Sequence, residues 1–249
     1  MPKERFDMGK IYVVGIGPGE YEMMTLKADK ALRDSDVIVG YKAYIELIKD
    51  QYPDKEYIES NMKQEIERCQ MCLMLAKEGK KVSLICSGDA GVYGMASPML
   101  EIASMDGFDD IEIISGVTAA LSGAAYLGAP IAHDFCIISL SDLLTDKELI
   151  KERLLLAAKG DFCIVLYNPS SHKRKDYLKW ACELILTYAS PDTCCGYVMN
   201  IGREHTMKKL CTLSQLKDEQ VDMFTTVFIG NSKTRFANDK MITPRGYEH

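Results

Sequence analysis

The chain has 249 residues, of which 47% are hydrophobic and 27% charged, a composition typical of a globular protein with a packed core. The 30 Lys and Arg residues against 36 Asp and Glu residues give a formal net charge of -6, which argues against a global positive field for nucleic acid or an anionic membrane. No segment reaches the ~18 consecutive apolar residues that a membrane span needs.

The first half of the chain alternates short apolar runs with helical patterns, as in a β-loop-α-β arrangement. In chain order we predict strands over 10–15, 37–39, 82–86 and 111–114, and helices over 25–33, 62–76, 97–104 and 118–127. The sequence Gly128-Ala129-Pro130 then interrupts the pattern. We place the domain boundary there, with an N-terminal domain over 1–128 and a C-terminal domain over 129–249.

The second half repeats this alternation. We predict strands over 135–139, 162–167, 195–199, 208–212 and 225–229, and helices over 146–158 and 173–188. Near-continuous apolar strands separated by helices indicate mainly parallel sheets covered on both faces. Alternation and β-branching make the last two strands edge or antiparallel strands of the second sheet. The predicted fold class is α/β, with two α/β domains.

Nine cysteines are scattered through segments that read as core strands or helices, which favours free thiols in a reducing cytoplasm. Cys69 and Cys72 have the spacing of half a metal site, but no second pair follows at the spacing that structural zinc requires. Cys194 and Cys195 begin a strand, where alternation directs them to opposite faces. We therefore predict core packing for these thiols and no metal bound by the protein.

Glycine-rich turns follow several predicted strands. The sequence Gly15-Ile-Gly-Pro-Gly19 departs from the dinucleotide fingerprint, because its third glycine comes early and Pro18 lacks an N–H group. A nicotinamide cofactor is therefore disfavoured, and the absence of a GxxxxGK[ST] sequence disfavours a P-loop hydrolase. Similar turns cover 86–91, 115–119 and 167–170, and we expect these turns to converge. Glycine turns at the carboxyl ends of parallel strands favour a small polar ligand.

Asp89 and Thr118 each allow two interpretations at this point. The Asp89 carboxylate is suited to accept hydrogen bonds from a ribose or an amine, or to cap the helix that follows it. Thr118 is suited to contact a ligand or to cap the next helix.

Six motifs occur in a fixed order along nearly the whole chain. They read GIGPG from Gly15, CSGDAGVYGMASP from Cys86, SGVTAALSGAAYLGAP from Ser115, HDFCIISLSDLLT from His133, LYNPSS from Leu166 and IGNSKTR from Ile229. Together they resemble the tetrapyrrole methyltransferases of cobalamin biosynthesis. The run 133–145 and the ending 242–248 are most similar to the members that methylate C-17 of precorrin-3B or cobalt-factor III.

This resemblance implies two α/β domains with S-adenosyl-L-methionine in a cleft between them, and a cytoplasmic homodimer. It implies methylation at C-17 with ring contraction, giving precorrin-4 or cobalt-precorrin-4. The cofactor contacts that it implies are Pro18, Gly88, Asp89, Val92, Thr118, Ala119 and Asn168, with a further contact within 197–200. Ala90 stands where many members have proline, so the backbone preference of that turn differs.

The remaining steps of such a reaction need proton transfer and carboxylate binding. His133 and Asp134 are our candidates for proton transfer during ring contraction, and a strand-capping role for His133 is the alternative. Arg174, Arg203 and Arg235 are candidates for binding the substrate carboxylates, because a guanidinium forms a fork of donors. Residues 172–175, with the sequence His-Lys-Arg-Lys, begin a predicted helix directly after the YNPSS turn. For 173–175 the alternative to substrate binding is a solvated, charged helix start.

Three other functions remain open on the sequence alone. A methyltransferase for a neighbouring ring position shares the fold and the glycine turns. A non-catalytic tetrapyrrole carrier would lack cofactor affinity. A diphthine-synthase-like enzyme would need an open face for a protein substrate. Whether the substrate already carries cobalt is also open, and we favour the cobalt-containing one.

Overall fold

The computed structural model describes residues 9–171 and 174–247, so His172, Lys173 and Glu248, which the predicted motifs include, lie outside the described residues. The chain divides into two compact units between Thr118 and Ala119. In the described part of the chain no helix is long and apolar enough to cross a membrane.

The first unit contains a sheet of five parallel strands in the order β3-β2-β4-β1-β5. The strands are β1 (Ile11–Gly15), β2 (Val37–Tyr41), β3 (Glu56–Ser60), β4 (Val82–Cys86) and β5 (Ile111–Ile114). The helices are α1 (Leu26–Asp34), α2 (Lys42–Ile45), α3 (Glu65–Lys77) and α4 (Ala96–Asp106). Because all five strands run in one direction, their carboxyl ends lie along one edge of the sheet.

Alternation within each strand gives this sheet a core on both faces. In β1, Ile11 and Val13 pack with Cys69 and other residues of α3 and α4, whereas Val14 packs in a second cluster with Leu32 of α1. Side chains of successive strand residues point to opposite faces, so a strand buried on both faces has a continuous apolar sequence. This is why the sequence predicted the buried strands β1, β2 and β4, whereas the half-exposed edge strand β3 was not predicted.

The second unit contains a mixed sheet of five strands in the order β10-β9-β11-β8-β7 and a small sheet in the order β12-β13-β6. Its strands are β6 (Gly128–Ala129), β7 (Phe135–Ser139), β8 (Cys163–Tyr167), β9 (Cys194–Met199), β10 (Met207–Thr212), β11 (Thr225–Ile229), β12 (Arg235–Ala237) and β13 (Lys240–Ile242). Its helices are α5 (Ala119–Leu127), α6 (Lys147–Lys159), α7 (Tyr177–Ile185) and α8 (Leu213–Leu216).

The predicted α/β class is confirmed, and the second sheet differs from the expected parallel arrangement. Only β7 and β8 pair in parallel, while β11 inserts between β8 and β9 and runs antiparallel to both. The antiparallel direction of β11 agrees with the prediction, whereas its central position, with every residue buried, was not specified by the sequence. Strand β10 is an antiparallel edge strand, as predicted.

Helix α5 explains why the chain divides earlier than the expected boundary after residue 128. Its buried residues Ala120, Ala124 and Leu127 pack with Val198 of β9 and Phe228 of β11, in a core cluster of the second unit. A small-residue helix allows this close approach to a sheet. The helix therefore belongs with the strands that follow it.

All nine cysteines are free thiols, and the predicted core packing is confirmed where the prediction was specific. Cys69 and Cys72 are fully buried in the core of the first unit. Cys195 is buried in one cluster of the second unit, and Cys194 packs against another, so the two lie on opposite faces of β9. These thiols fill space in the two cores.

We predict that the native protein resists alkylation. Burial raises the pKa of Cys69, Cys86, Cys136 and Cys211 to about 11 and that of Cys182 to about 12. A pKa near 11 instead of 9 lowers the thiolate fraction at pH 8 by about 100-fold, and only the thiolate reacts. Mass spectrometry after iodoacetamide treatment should find these five thiols unmodified in the folded protein and modified in denaturant. Rapid labelling of any of them in the folded state would contradict the packing described here.

Candidate functional site

Three glycine turns meet at the carboxyl edge of the first sheet. We call residues 15–19, 86–91 and 115–118, which follow β1, β4 and β5, the glycine cradle. The Gly17 N–H donates to the Gly88 carbonyl at 3.0 Å, and the Gly88 N–H donates to the Gly17 carbonyl at 2.7 Å. Both residues have positive φ, 76° and 71°, which glycine adopts without strain. The expected convergence of these three turns is therefore observed.

The cradle leaves no space for side chains where its turns cross. A Cβ atom on Gly116 would lie 2.5 Å from the Gly15 carbonyl oxygen and closer still to the Gly88 carbonyl oxygen. A Cβ atom on Gly15 would lie 2.7 Å from that same Gly88 oxygen. Glycine at these positions lets three backbone segments touch.

Asp89 joins two of the three turns through its carboxylate. Its Oδ1 accepts a hydrogen bond from the Gly91 N–H at 2.8 Å, and its Oδ2 accepts one from the Gly116 N–H at 2.9 Å. The alternative role as a helix cap is wrong, because Met95 precedes α4 and no side chain caps that helix. Each carboxylate oxygen has a second lone pair, so Asp89 retains the capacity to accept from a ligand.

The other predicted contacts of the first unit lie in or beside the cradle. Pro18 and Thr118 are buried, and Val92 is half-buried directly after the Asp89 turn. Sequence analysis missed the contribution of Thr25, which caps α1 by accepting from the Ala28 N–H and donates to the Ser115 carbonyl at 3.1 Å. Its signal, a threonine at a helix start, predicted the cap but not this long-range bond.

The second unit brings Asn168 to a corresponding edge of its own sheet. Asn168 follows β8 with a φ of 52°, and its amide donates to the Ser139 hydroxyl at the end of β7, at 2.9 Å. Asn200, at the end of the predicted segment 197–200, follows β9 with a φ of 53° on this edge, because β9 and β8 both run antiparallel to β11. We call this the Asn168 edge.

Ala119 also lies close to the Asn168 edge. It begins α5, and the next N–H group, that of Ala120, donates to the Tyr167 hydroxyl at 2.7 Å. Tyr167 is the last residue of β8 and directly precedes Asn168. The second unit therefore brings together its two predicted cofactor contacts through a tyrosine that sequence analysis did not select.

The three arginines predicted to bind substrate lie in three different environments. Arg174 is largely buried and donates to Ser141 and Asp142, each at 3.0 Å. Arg203 follows β9 at the Asn168 edge, with its guanidinium 5.2 Å from the centroid of the Phe224 ring. Arg235 is exposed in β12.

Arg235 lies in β12 of the small sheet, near the amino end of β8 and away from the Asn168 edge. It follows Thr234, whose hydroxyl lies 2.8 Å from that of Thr243. The Thr243 hydroxyl in turn lies 3.6 Å from the sulfur of Cys163, the first residue of β8. The structure thus places Arg203 at the end of the sheet that carries Asn168 and Arg235 at the other end.

His133 and Asp134 also lie at that other end. They directly precede β7, and the Asp134 carbonyl accepts from the Cys163 N–H at the amino end of β8. The His133 side chain is half exposed, and its Nδ1 accepts from the Asp134 N–H at 2.8 Å. The length of β7 separates this pair from Ser139 and Asn168, and the bond to its neighbour fits the strand-capping alternative for His133.

The geometry fits a small organic ligand held by main-chain atoms. Within residues 9–171 and 174–247, no group of three or more His, Cys, Asp or Glu side chains is arranged to hold a metal ion. The glycine cradle instead offers close backbone approach together with one carboxylate, Asp89. These features suit a ligand that carries hydroxyl and amino groups, as the ribose and amino acid portions of S-adenosyl-L-methionine do.

Comparison with known proteins points to one family. The sequence profile of the tetrapyrrole (corrin/porphyrin) methylases matches residues 10–217. A probable cobalt-factor III C(17)-methyltransferase from Salmonella typhimurium is 46% identical, over 94% of this chain and 98% of its own length. The cobalt-factor III methyltransferase of Priestia megaterium is 42% identical, and this chain spans only 45% of its length. A precorrin-3B C(17)-methyltransferase from Sinorhizobium is 36% identical, over 96% of this chain and 97% of its own length.

Solved structures agree with the profile. The crystal structure of the methyltransferase CobJ superimposes with a TM-score of 0.88 at 32% identity, covering 95% of this chain and 100% of that one. A uroporphyrin-III C-methyl transferase from Thermus thermophilus, complexed with S-adenosyl homocysteine, has the same fold with a TM-score of 0.70 at 22% identity, covering 89% of this chain and 97% of that one.

We predict that S-adenosylhomocysteine binding depends on the Asp89 carboxylate. Asp89→Ala removes both hydrogen-bond acceptors of the carboxylate. Asp89→Asn replaces one acceptor oxygen with an NH₂ group, which faces a backbone N–H and cannot accept from it. Each variant should therefore raise the Kd for S-adenosylhomocysteine about 10- to 100-fold. Isothermal titration calorimetry measures the change.

A matched control exists in the same sheet. Asp36, just before β2, accepts from the Lys81 N–H at 2.8 Å, at the amino edge of the sheet. Asp36→Asn should leave the Kd within about twofold of wild type. Equal Kd values for wild type and Asp89→Asn would show that the cradle does not depend on this carboxylate.

Proposed function

The chain belongs to the tetrapyrrole (corrin/porphyrin) methylase family, and from this membership we propose that it transfers a methyl group from S-adenosyl-L-methionine to C-17 of cobalt-factor III, with ring contraction to cobalt-precorrin-4. The observation that carries the proposal is 46% identity to a protein named as a probable cobalt-factor III C(17)-methyltransferase, over almost the full length of both chains. We favour cobalt-factor III over precorrin-3B, because the precorrin-3B relative is 36% identical. Cobalt then belongs to the substrate.

The glycine cradle is our proposed seat for part of the cofactor. When bound, S-adenosyl-L-methionine supplies a methyl group on a positively charged sulfur. Gly15, Gly88 and Gly116 let the main chain approach the cofactor closely. The Asp89 carboxylate holds the turns after β4 and β5 together through its hydrogen bonds. Holding reactants in line contributes roughly 7 to 11 kcal/mol to lowering the barrier, so the cradle acts by positioning and needs no covalent nucleophile.

The second unit supplies the other proposed contacts. Asn168 is fixed by its bond to the Ser139 hydroxyl, which leaves its side-chain carbonyl oxygen available to a donor on the cofactor. Ala119 contributes main-chain atoms beside the Tyr167 hydroxyl. A weakly polar environment formed by such residues favours the transition state, because the charge on sulfur disperses as the methyl group leaves.

Substrate carboxylates need cations, and we propose Arg203 as the main one. It is at the Asn168 edge, and its position over the Phe224 ring orients the guanidinium. Arg174 acts indirectly, because its Nη1 is already bonded to Ser141 and Asp142. Arg235 remains a candidate only for a carboxylate that extends to the far end of the second sheet.

We also propose a cytoplasmic homodimer. Nine free thiols fit a reducing compartment, and the family resemblance carries the dimer. Light scattering of the purified chain should give twice the mass of 27.9 kDa.

The activity predicts a product with a defined methyl position. Wild-type protein with S-adenosyl-L-methionine carrying a ¹³C methyl group should convert cobalt-factor III into a product with one ¹³C methyl at C-17, located by NMR. Gly116→Ala should abolish this turnover, because its Cβ would overlap the Gly15 and Gly88 carbonyl oxygens. Far-UV circular dichroism and the Tm of Gly116→Ala, each compared with wild type, show whether the variant is folded. Methylation at another carbon would assign the chain to a sibling activity.

The placement of His133 predicts that it is dispensable for methyl transfer. His133→Ala removes an exposed ring at the amino end of β7, so methylation and ring contraction should both proceed at rates within about threefold of wild type. Single-turnover absorbance spectra distinguish the two steps. Normal methylation with lost ring contraction would instead support the general acid or base role of His133.

A further inference from the structure

Two adjacent leucines are exposed on the second unit. Leu144 is 100% exposed and Leu143 is 63% exposed. They lie in residues 140–146, here called the leucine loop, which joins β7 to α6. Single exposed leucines are common in proteins, so their role depends on how the loop is held and where it lies.

Hydrogen bonds from Arg174 and Tyr177 hold the first part of the leucine loop in place. The Arg174 guanidinium donates to Ser141 and to one carboxylate oxygen of Asp142, and the Tyr177 hydroxyl donates to the other oxygen at 2.6 Å. The Tyr177 hydroxyl and the Arg174 guanidinium lower the pKa of Asp142. Such charge-assisted bonds are strong, so the fold supports the loop in a conformation that keeps Leu143 and Leu144 in solvent.

The leucine loop is also bonded directly to the Asn168 edge. The buried residue Leu140 donates its N–H to the Tyr167 carbonyl at 2.9 Å. The Ser139 hydroxyl accepts from the Ser141 N–H at 3.2 Å and from the Asn168 amide at 2.9 Å. One hydroxyl therefore connects the start of the leucine loop to a proposed cofactor contact.

A cation accompanies the exposed leucines. Lys147 begins α6, and its ammonium lies 4.5 Å from the Tyr177 ring centroid and 4.8 Å from that of Trp180. No carboxylate in the described part of the chain forms an ion pair with it. An apolar pair followed by an unneutralised cation complements a flat, apolar ring with carboxylates at its rim.

We propose that Leu143 and Leu144 contact one face of the tetrapyrrole macrocycle, and that Lys147 receives a carboxylate at its rim. Asp142 is a positioning residue that holds the loop through Arg174 and Tyr177. This inference rests on the proposed function, because it takes its ligand from that reaction.

The test compares two paired leucine substitutions. The test variant is L143S/L144S, and the matched control is L149S/L156S, which changes two leucines of α6 that are 41% and 59% exposed. Binding of cobalt-factor III is followed by quenching of Trp180, the single tryptophan, whose ring centroid lies 5.7 Å from that of Tyr177. Steady-state kinetics, calorimetry with S-adenosylhomocysteine and light scattering complete the comparison.

We expect L143S/L144S to raise both the Kd and the KM for cobalt-factor III at least about tenfold. The kcat, the Kd for S-adenosylhomocysteine and the molecular mass should stay within twofold of wild type, and the control should match wild type throughout. Asp142→Asn should raise the KM in the same way with little change in kcat, because it weakens the support of the loop.

Unchanged Kd and KM in L143S/L144S would overturn the inference. A halved mass with unchanged cobalt-factor III binding would also overturn it, by showing that the leucines contact a second copy of the chain. If wild type binds cobalt-factor III through these leucines but forms no methylated product, the proposed activity is wrong and the inference holds. If wild type binds S-adenosylhomocysteine but no tetrapyrrole, both are wrong.

Discussion

Two backbone N–H groups share the carboxylate of Asp89, and this interaction organises the first unit at the edge where its strands end. The carboxylate draws the turns after β4 and β5 together, and Gly17 and Gly88 join the turn after β1 to them by paired main-chain bonds. Contact this close excludes side chains at the crossing points. The glycine motifs are therefore a steric requirement of the convergence of these turns.

The second unit uses side-chain hydroxyl groups in a comparable way. Ser139 joins Asn168 to the leucine loop, and Tyr167 joins the end of β8 to the start of α5. Arg174 continues this network, since its bond to Asp142 supports the leucine loop. Arg174, a candidate for substrate binding because of its charge, thus acts by orienting Asp142. In our account the first unit fixes cofactor contacts, and the second fixes Asn168 and an apolar surface for the substrate.

Most strands could be predicted because a strand buried on both faces has an unmistakable apolar sequence. The strand over 82–86 is observed over that range, and the helix predicted from Thr25 has Thr25 as its cap. Strand β3 was missed, since its sequence Glu-Tyr-Ile-Glu-Ser is half exposed at the edge of the sheet. The antiparallel direction of β11 was predicted, but its central place between β8 and β9 was not, because only the assembled sheet shows which strands are its neighbours.

The candidate site was predictable in part for the same kind of reason. Glycines after strands indicated convergence, and Asp89 was selected from its place between glycines. One of the two bonds that its carboxylate accepts comes from Gly116, 27 residues away, and local sequence does not reveal that bond. The substrate arginines could not be distinguished from sequence, because only the strand directions and the contacts from Thr243 to Thr234 and Cys163 show that Arg203 and Arg235 lie at opposite ends of β8 and β9.

Amide hydrogen exchange with S-adenosylhomocysteine tests the central claim most directly. The account predicts that the ligand slows exchange together in peptides covering 15–19, 86–91 and 115–118 of wild type, and that Asp89→Ala loses this shared protection. Two results would contradict the claim that the Asp89 carboxylate assembles the cofactor site. One is an exchange rate in these three peptides that the ligand does not change, and the other is full protection by the ligand in Asp89→Ala.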